Sequence, residues 1–202
     1  RGAVSEDRRY TLAITGASGA AVAQACLALL DADARVNHVD LVASPHGLRV
    51  AKDELGLAEG RLDQLAERLL GHACPKVQVH DDRNIGANIA SGSYPSDGMI
   101  VLPCSMGTLA AIALGMADSL IERAADVCLK ERRRLLLAIR ETPLHRIHLR
   151  NMLAADKAGA TIFPVMPAFY DGALNAGGMT RQFAGRLLDH LGLAQDIFRW
   201  QG

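Results

Sequence analysis

Thr11-Leu-Ala-Ile-Thr-Gly-Ala-Ser-Gly-Ala20 decides how the chain is read. A short apolar run is followed by Gly16-Ala17-Ser18-Gly19 and then by the small-residue segment Ala20 to Leu30. That order predicts a buried strand, a tight turn and a helix. Such a turn presents backbone N–H groups at a helix N-terminus, where the macrodipole favours negative charge. Gly16 and Gly19 let backbone pass close to a ligand, and Ser18 adds a hydroxyl to the same crevice. The motif is not the full G-x-G-x-x-G fingerprint, so it points to a phosphate-bearing ligand without implying a dinucleotide.

Outward from this stretch, strand and helix patterns alternate. Asn37 to Ser44 reads as a second strand, Lys76 to His80 as a third and Met99 to Pro103 as a fourth. Leu135 to Ile139 and Ala160 to Met166 complete the set. Helical spacing covers Gly47 to Leu57, Leu62 to Leu70, Leu109 to Met116, Asp118 to Glu131, Leu144 to Ala158 and Gly178 to Leu191. The apolar Leu109 to Met116 helix is expected to be buried. Asp81 to Gly98, rich in Asn, Gly, Ser and Pro, reads as a long loop of the kind that is functional or disordered. Apolar strands without alternation imply a parallel sheet covered on both faces, an α/β fold with ligands beyond the carboxyl ends of the strands. Those ends carry Ser18, Ser44, Ser105 with Thr108, Arg140 with Glu141, and Tyr170. Hydroxyls, glycines and an arginine on one edge suit an anionic ligand, although each alone is more often a helix cap.

Composition narrows the classes. The 202 residues balance 22 basic against 22 acidic side chains, and aromatics make up 4%. Neither a polyanion partner nor a base-stacking platform fits that balance, so no nucleic-acid partner is expected. No apolar run approaches the ~20 residues of a membrane span, and no signal peptide is visible, so a cytoplasmic protein is expected. The four cysteines form no C-x-x-C and the seven histidines no H-x-x-x-H, so no metal site is expected. Residues 1–9 are expected to form a flexible segment and 10–202 a single domain.

Several motifs in one collinear order then carry a resemblance. Thr15-Gly-Ala-Ser-Gly19, Ala90-Ser-Gly-Ser93, Pro103-Cys-Ser-Met-Gly-Thr108 and Leu120-Ile-Glu-Arg-Ala-Ala-Asp-Val127 are followed by Lys130-Glu-Arg-Arg133, Arg140-Glu-Thr-Pro143, His148-Leu-Arg-Asn-Met152 and Pro167-Ala-Phe-Tyr170. The set resembles the UbiX/Pad flavin prenyltransferases from about Tyr10 to the C-terminus. The resemblance implies a Rossmann-like, flavodoxin-like sheet with helices on both faces, and a dodecamer with flavin at subunit junctions. It implies transfer of a dimethylallyl group from dimethylallyl phosphate to N5 and C6 of reduced FMN, the product serving UbiD-type decarboxylases.

Carried over by position, Gly16, Ala17, Ser18, Ser44, Ser105, Met106, Gly107, Thr108 and Arg140 match the FMN contacts. Tyr170 and Arg186 match the prenyl-phosphate binders, with Arg123, Lys130 and Glu141 around the same phosphate. Glu54 with Ser18 matches the proton-handling pair near the flavin ring. Ile85 departs from a tryptophan that walls the pocket in some members, and Met106 from a threonine. An FMN-dependent phosphopantothenoylcysteine or peptidyl-cysteine decarboxylase and a non-catalytic flavin-binding subunit are the rival readings. With no full dinucleotide fingerprint, FMN is expected to displace FAD in a competitive titration; tight FAD binding that FMN does not disturb overturns this.

Overall fold

The computed structural model describes residues 7–169 and 175–199. Tyr170, one of the expected phosphate binders, lies outside the described residues. Strand β1 (Arg8–Ile14) leads through the glycine turn into α1 (Ala20–Ala32). Then come β2 (Val36–Ala43), α2 (Pro45–Leu55), a 3-10 turn at Leu62–Gln64, α3 (Leu65–Leu70) and β3 (Val77–Asp81). The second half holds β4 (Gly98–Cys104), α4 (Met106–Ala113), α5 (Leu120–Lys130), β5 (Arg134–Ile139), α6 (Arg146–Ala158), β6 (Thr161–Ile162) and α7 (Ala176–His190).

All strand pairs are parallel and the order is β3-β2-β1-β4-β5-β6. This is the Rossmann order among doubly wound folds, and its switch point falls between β1 and β4. Both faces are covered. Leu12, Leu41, Ile100 and Leu136 pack with α1, α3 and α7, while Ala13, Val101 and Leu137 pack with α4, α5 and α6. Each fully buried leucine or isoleucine is worth roughly 1.5–3 kcal/mol, which is why these strands read as apolar runs. No helix among the described residues is long and apolar enough to cross a membrane.

Four sequence expectations need correction. β1 starts at Arg8, pairing with Val36, so Arg8 and Arg9 belong to the sheet rather than to a flexible segment. The last strand is only Thr161–Ile162: Phe163 and Val165 still donate to Leu137 O and Ile139 O at 2.9 Å, but the chain then turns, Met166 N donating back to Pro164 O at 2.8 Å. The Leu62 to Leu70 helix begins as a separate 3-10 turn. Helix α4 ends at Ala113, and Leu114 and Met116 are 73% and 45% exposed, so of the expected Leu109 to Met116 helix only Leu109, Ala111 and Ile112 are buried.

The long loop after β3 is ordered by specific bonds. Asp82 is buried and caps α5, its carbonyl and carboxylate accepting from Leu120 N at 2.8 Å and Ile121 N at 3.0 Å. Tyr94 donates to Asp40 Oδ2 at 3.2 Å, while His80 Nε2 and His38 Nε2 lie 2.7 and 3.2 Å from Asp40 Oδ1. Burial, then the Asp40 charge, pushes the Tyr94 phenol above its ordinary value. Asp97 closes the loop by exchanging two bonds with the Arg9 backbone.

At the switch point Thr15 is almost fully buried. Its hydroxyl donates to Pro103 O at 2.7 Å and accepts from Ser105 N at 2.8 Å. Thr15→Val deletes both bonds and strands the Ser105 amide, so chemical denaturation should show a loss of about 1–3 kcal/mol. Thr15→Ser should retain most of the stability; equal losses in both variants would mean that the methyl group, not the hydroxyl, is what matters.

Candidate flavin and anion site

The strand ends are joined across the sheet by a row of bonds. Ser44 N donates to Ile14 O at 2.9 Å, Thr15 bridges β1 to β4, and Arg140 N donates to Cys104 O at 3.3 Å. These bonds bring the Gly16–Gly19 turn, Ser44, the Ser105–Thr108 turn and Arg140-Glu141 onto one edge. The sequence-based grouping of these residues is therefore met in space.

The two helix N-termini at this edge differ. At α1 the expected anion site is already filled from within the chain. Glu54, on the last turn of α2, accepts from Ala20 N at 2.8 Å and from Gly19 N at 3.0 Å. Burial pushes its carboxyl up, but the Ser18 hydroxyl, the two amides and the Arg140 charge outweigh that and hold it below its ordinary value. It is an ionised acceptor at neutral pH, with the Ser18 hydroxyl donating to it. Gly19 has φ +128°, a backbone conformation that suits glycine. Gly16 is required by packing: a Cβ there would stand 2.6 Å from His46 Cβ on α2. The first turn thus serves to seat α2 and its carboxylate, beyond the ligand approach inferred for it.

At α4 the donors are open. Ser105 caps the helix, its Oγ accepting from Thr108 N at 3.3 Å and lying 3.1 Å from Thr108 Oγ1. Met106 N and Gly107 N have no hydrogen-bond partner among the described residues. A Cβ on Gly107 would meet nothing nearer than Ser105 Oγ at 3.9 Å, so space lies above this turn. The Arg140 guanidinium forms no ion pair or side-chain hydrogen bond among the described residues. Free amides, two hydroxyls and a free guanidinium fit a phosphate monoester. Ser44 caps α2 by accepting from Gly47 N at 3.0 Å and keeps its own O–H to donate. Glu141 is exposed, bonded only to the following Thr142 N at 3.0 Å.

The second cationic set does not assemble here. Lys130 ends α5, four residues before β5 begins, whereas Arg140 follows the end of β5. A six-residue strand spans about 20 Å, so the two lie at opposite ends of it. Lys130 is ion-paired with Glu131, and Arg123 pairs with Asp126 at 2.7 Å and donates to Ala90 O at 3.2 Å. Arg133 donates to Gly92 O at 2.6 Å, so Ala90-Ser-Gly-Ser93 and the α5 cations form one local cluster. Arg123 is therefore half-buried rather than part of a solvated helix face. Arg186 is exposed and lines an apolar recess of about 510 Å³ with Ile162, Phe163, Met166, Phe183 and Phe198, beside β6 and away from the α4 turn.

Some residues lacked a sequence signal that could have found them. Thr15 was legible only as the polar residue ending an apolar run, and Asp40 as a lone aspartate inside a strand. The four cysteines are free and buried; burial pushes the Cys26, Cys104 and Cys128 thiols up to about 12, which removes them as nucleophiles at neutral pH. His145 turns out to cap α6, its Nδ1 accepting from Ile147 N at 3.2 Å.

Comparison with known proteins places this geometry. Residues 3–180 match the Flavoprotein family. Flavin prenyltransferase UbiX of Halalkalibacterium halodurans is 42% identical over 193 residues, covering 95% of this chain and 92% of that protein. The crystal structure of AnUbiX in complex with FMN and dimethylallyl pyrophosphate superposes with a TM-score of 0.84 at 43% identity, covering 97% of this chain and 98% of that one. A dodecameric FMN-dependent UbiX-like decarboxylase from Escherichia coli O157:H7 gives 0.82 at 39% identity, covering 96% and 100%.

Glu54 generates a pH-dependent expectation. Its native pKa is depressed, so its contribution is present above the unfolded carboxyl pKa near 4.3 and is lost as pH falls through the lower native value. Glu54→Ala should cost about 1 kcal/mol at pH 7, as for loss of a helix cap, and progressively less below pH ~4. A penalty that stays constant on acidification would show that Glu54 acts by packing rather than charge.

Proposed function

This chain belongs to the UbiX flavin prenyltransferases of the Flavoprotein family and uses FMN, and on that premise we propose how its residues divide the reaction. The α4 turn (Ser105, Met106, Gly107 and Thr108) with Arg140 holds the FMN phosphate and polar edge, and Gly16, Ala17, Ser18 and Ser44 border the ring. Tyr170 and Arg186, with Arg123, Lys130 and Glu141, hold the phosphate of dimethylallyl phosphate. The observation that carries this division is the contrast between the two helix N-termini: α4 offers open donors beside a free arginine, while α1 carries an ionised carboxylate.

Reduced FMN supplies the nucleophilic N5 and C6 and a π-face for the allylic group. The protein's part is electrostatic. Departure of phosphate from the allylic carbon builds negative charge on the leaving group, and guanidinium, ammonium and phenol donors stabilise it. The ring closure at C6 then releases a proton. Ser18, hydrogen-bonded to the Glu54 carboxylate, is the relay that accepts it, since an ionised acceptor lies directly behind the hydroxyl.

Assembly follows from the same map. Lys130 and Arg140 stand at opposite ends of β5, so Lys130 reaches a flavin held at the α4 turn only from a neighbouring subunit. Exposed Leu114 and Met116 after α4, with Leu144, Ile147, Leu149 and Leu153 around α6, support an apolar contact surface on that side. A dodecamer like that of the Escherichia coli neighbour meets both requirements. The product serves a UbiD-type decarboxylase.

Anaerobic prenylation assays beside FMN titrations test the two-site division. Arg186→Ala and Glu141→Gln should bind FMN almost normally and lose roughly 10²–10³-fold or more in turnover, the scale of one lost transition-state donor. Ser105→Ala should weaken FMN by about 1 kcal/mol, one neutral hydrogen bond. Loss of FMN binding in step with activity in Arg186→Ala would collapse the map to one flavin site, and a monomeric mass with FMN bound would remove the shared site.

A further inference from the structure

At the sheet edge opposite the flavin crevice, three different metal-binding side chains converge. Asp31 lies in the last turn of α1, and His72 and Cys74 lie in the loop from α3 to β3. Their ligand atoms all fall within 4.8 Å of one another. His72 Nδ1 stands 3.9 Å from Asp31 Oδ2 and 3.9 Å from Cys74 Sγ. These separations are long for hydrogen bonds between the groups. They are close to the roughly 3.4–3.6 Å between ligands on a tetrahedral zinc ion with bonds of about 2.0–2.3 Å. The two His72 separations need to shorten by a few tenths of an ångström, and the Asp31 and Cys74 ligand atoms, which lie within 4.8 Å of each other, by up to about 1 Å, within reach of side-chain rotation.

The electrostatics favour a cation. Asp31 places a carboxylate at a helix C-terminus, where the macrodipole already disfavours negative charge, and His72 is its only ion-pair partner among the described residues. Lys76, close by in sequence, is committed to the carbonyls of Asp33 and Val36 at 3.0 and 3.1 Å.

We propose that Asp31, His72 and Cys74 form a zinc-binding site that ties the end of α1 to the α3–β3 loop. Thiolate, imidazole and carboxylate together select a borderline ion such as Zn²⁺ over Mg²⁺ or Ca²⁺, which take all-oxygen sites. A water supplies the fourth ligand. On binding, the Cys74 thiol, which now donates to His72 O at 3.2 Å, loses its proton to solvent. His72 turns Nδ1 from Ala73 O, 3.1 Å away, to the metal, and the Nδ1 proton that bonds that carbonyl is given up to solvent, leaving the ring with one proton, on Nε2. Binding therefore tightens with rising pH. The expectation of no metal site came from local spacing, and Asp31 stands too far upstream of His72-Ala-Cys74 for any spacing rule to join them.

The test uses tag-free, fully reduced protein loaded anaerobically with Zn²⁺ or Co²⁺. We expect one zinc per chain after dialysis, a thiolate-to-cobalt charge-transfer band in the near ultraviolet, and a higher melting temperature with zinc than without. Cys74→Ser and His72→Ala should lose the stoichiometric zinc and the thermal shift, and Cys74→Ser the band. Asp31→Asn should weaken binding by at least the roughly 10–100-fold attributed to outer-shell partners. FMN binding by the metal-free variants checks that they fold. Zinc retained equally by the Cys74→Ser, His72→Ala double variant, or a cobalt spectrum of the parent protein without the thiolate band, overturns the proposal; the second result needs no variant at all.

Discussion

One buried hydroxyl holds the working edge of this protein together. Thr15 ends β1 and joins Pro103 O to Ser105 N, so the strand-end turns on the two sides of the switch point move as one unit. In a doubly wound sheet the crevice at that point is formed by chains leaving in opposite directions, and nothing in the ladder itself fixes their separation. The Thr15 hydroxyl does, together with the Thr15 backbone N–H, which also donates to Pro103 O at 3.2 Å. With Ser44 N on Ile14 O and Arg140 N on Cys104 O it extends the ladder beyond the last strand residues.

Upon that frame the chain places two helix N-termini and treats them differently. The α1 terminus receives Glu54 from α2, an arrangement made possible by the close approach of α2 over Gly16. The amides and the Ser18 hydroxyl keep this carboxylate ionised, so a site that could have bound a phosphate presents a proton acceptor instead. The α4 terminus keeps two amides free beside Arg140. One physical device, the N-terminal donor cluster, is thereby occupied by a carboxylate at α1 and left open among the described residues at α4.

The cations of α5 obey a different constraint. Lys130 ends α5 just before β5 and Arg140 follows β5, so chain direction alone separates these two by the length of a strand. The loop over Asp82 to Asp97 fastens Ser91 and Ser93 near those cations through Tyr94–Asp40 and Arg133–Gly92 contacts. Leucines and an isoleucine around α6 are exposed and form an apolar surface on the chain.

The sequence by itself determined the parallel α/β architecture, the position of the switch-point turns and the edge on which Ser18, Ser105, Thr108 and Arg140 gather. These follow from local pattern: apolar runs bury on both faces, and parallel strands all deliver their carboxyl ends to one side. It placed the last strand too far, because the turn that Met166 N closes on Pro164 O ends the strand without altering the apolar run. Only the tertiary structure decided that Glu54 fills the α1 terminus, that Asp40 collects two histidines and a tyrosine, and that Asp31 meets His72 and Cys74. Each of these joins residues far apart in the chain, where side-chain reach and helix approach, rather than periodicity, set the contact.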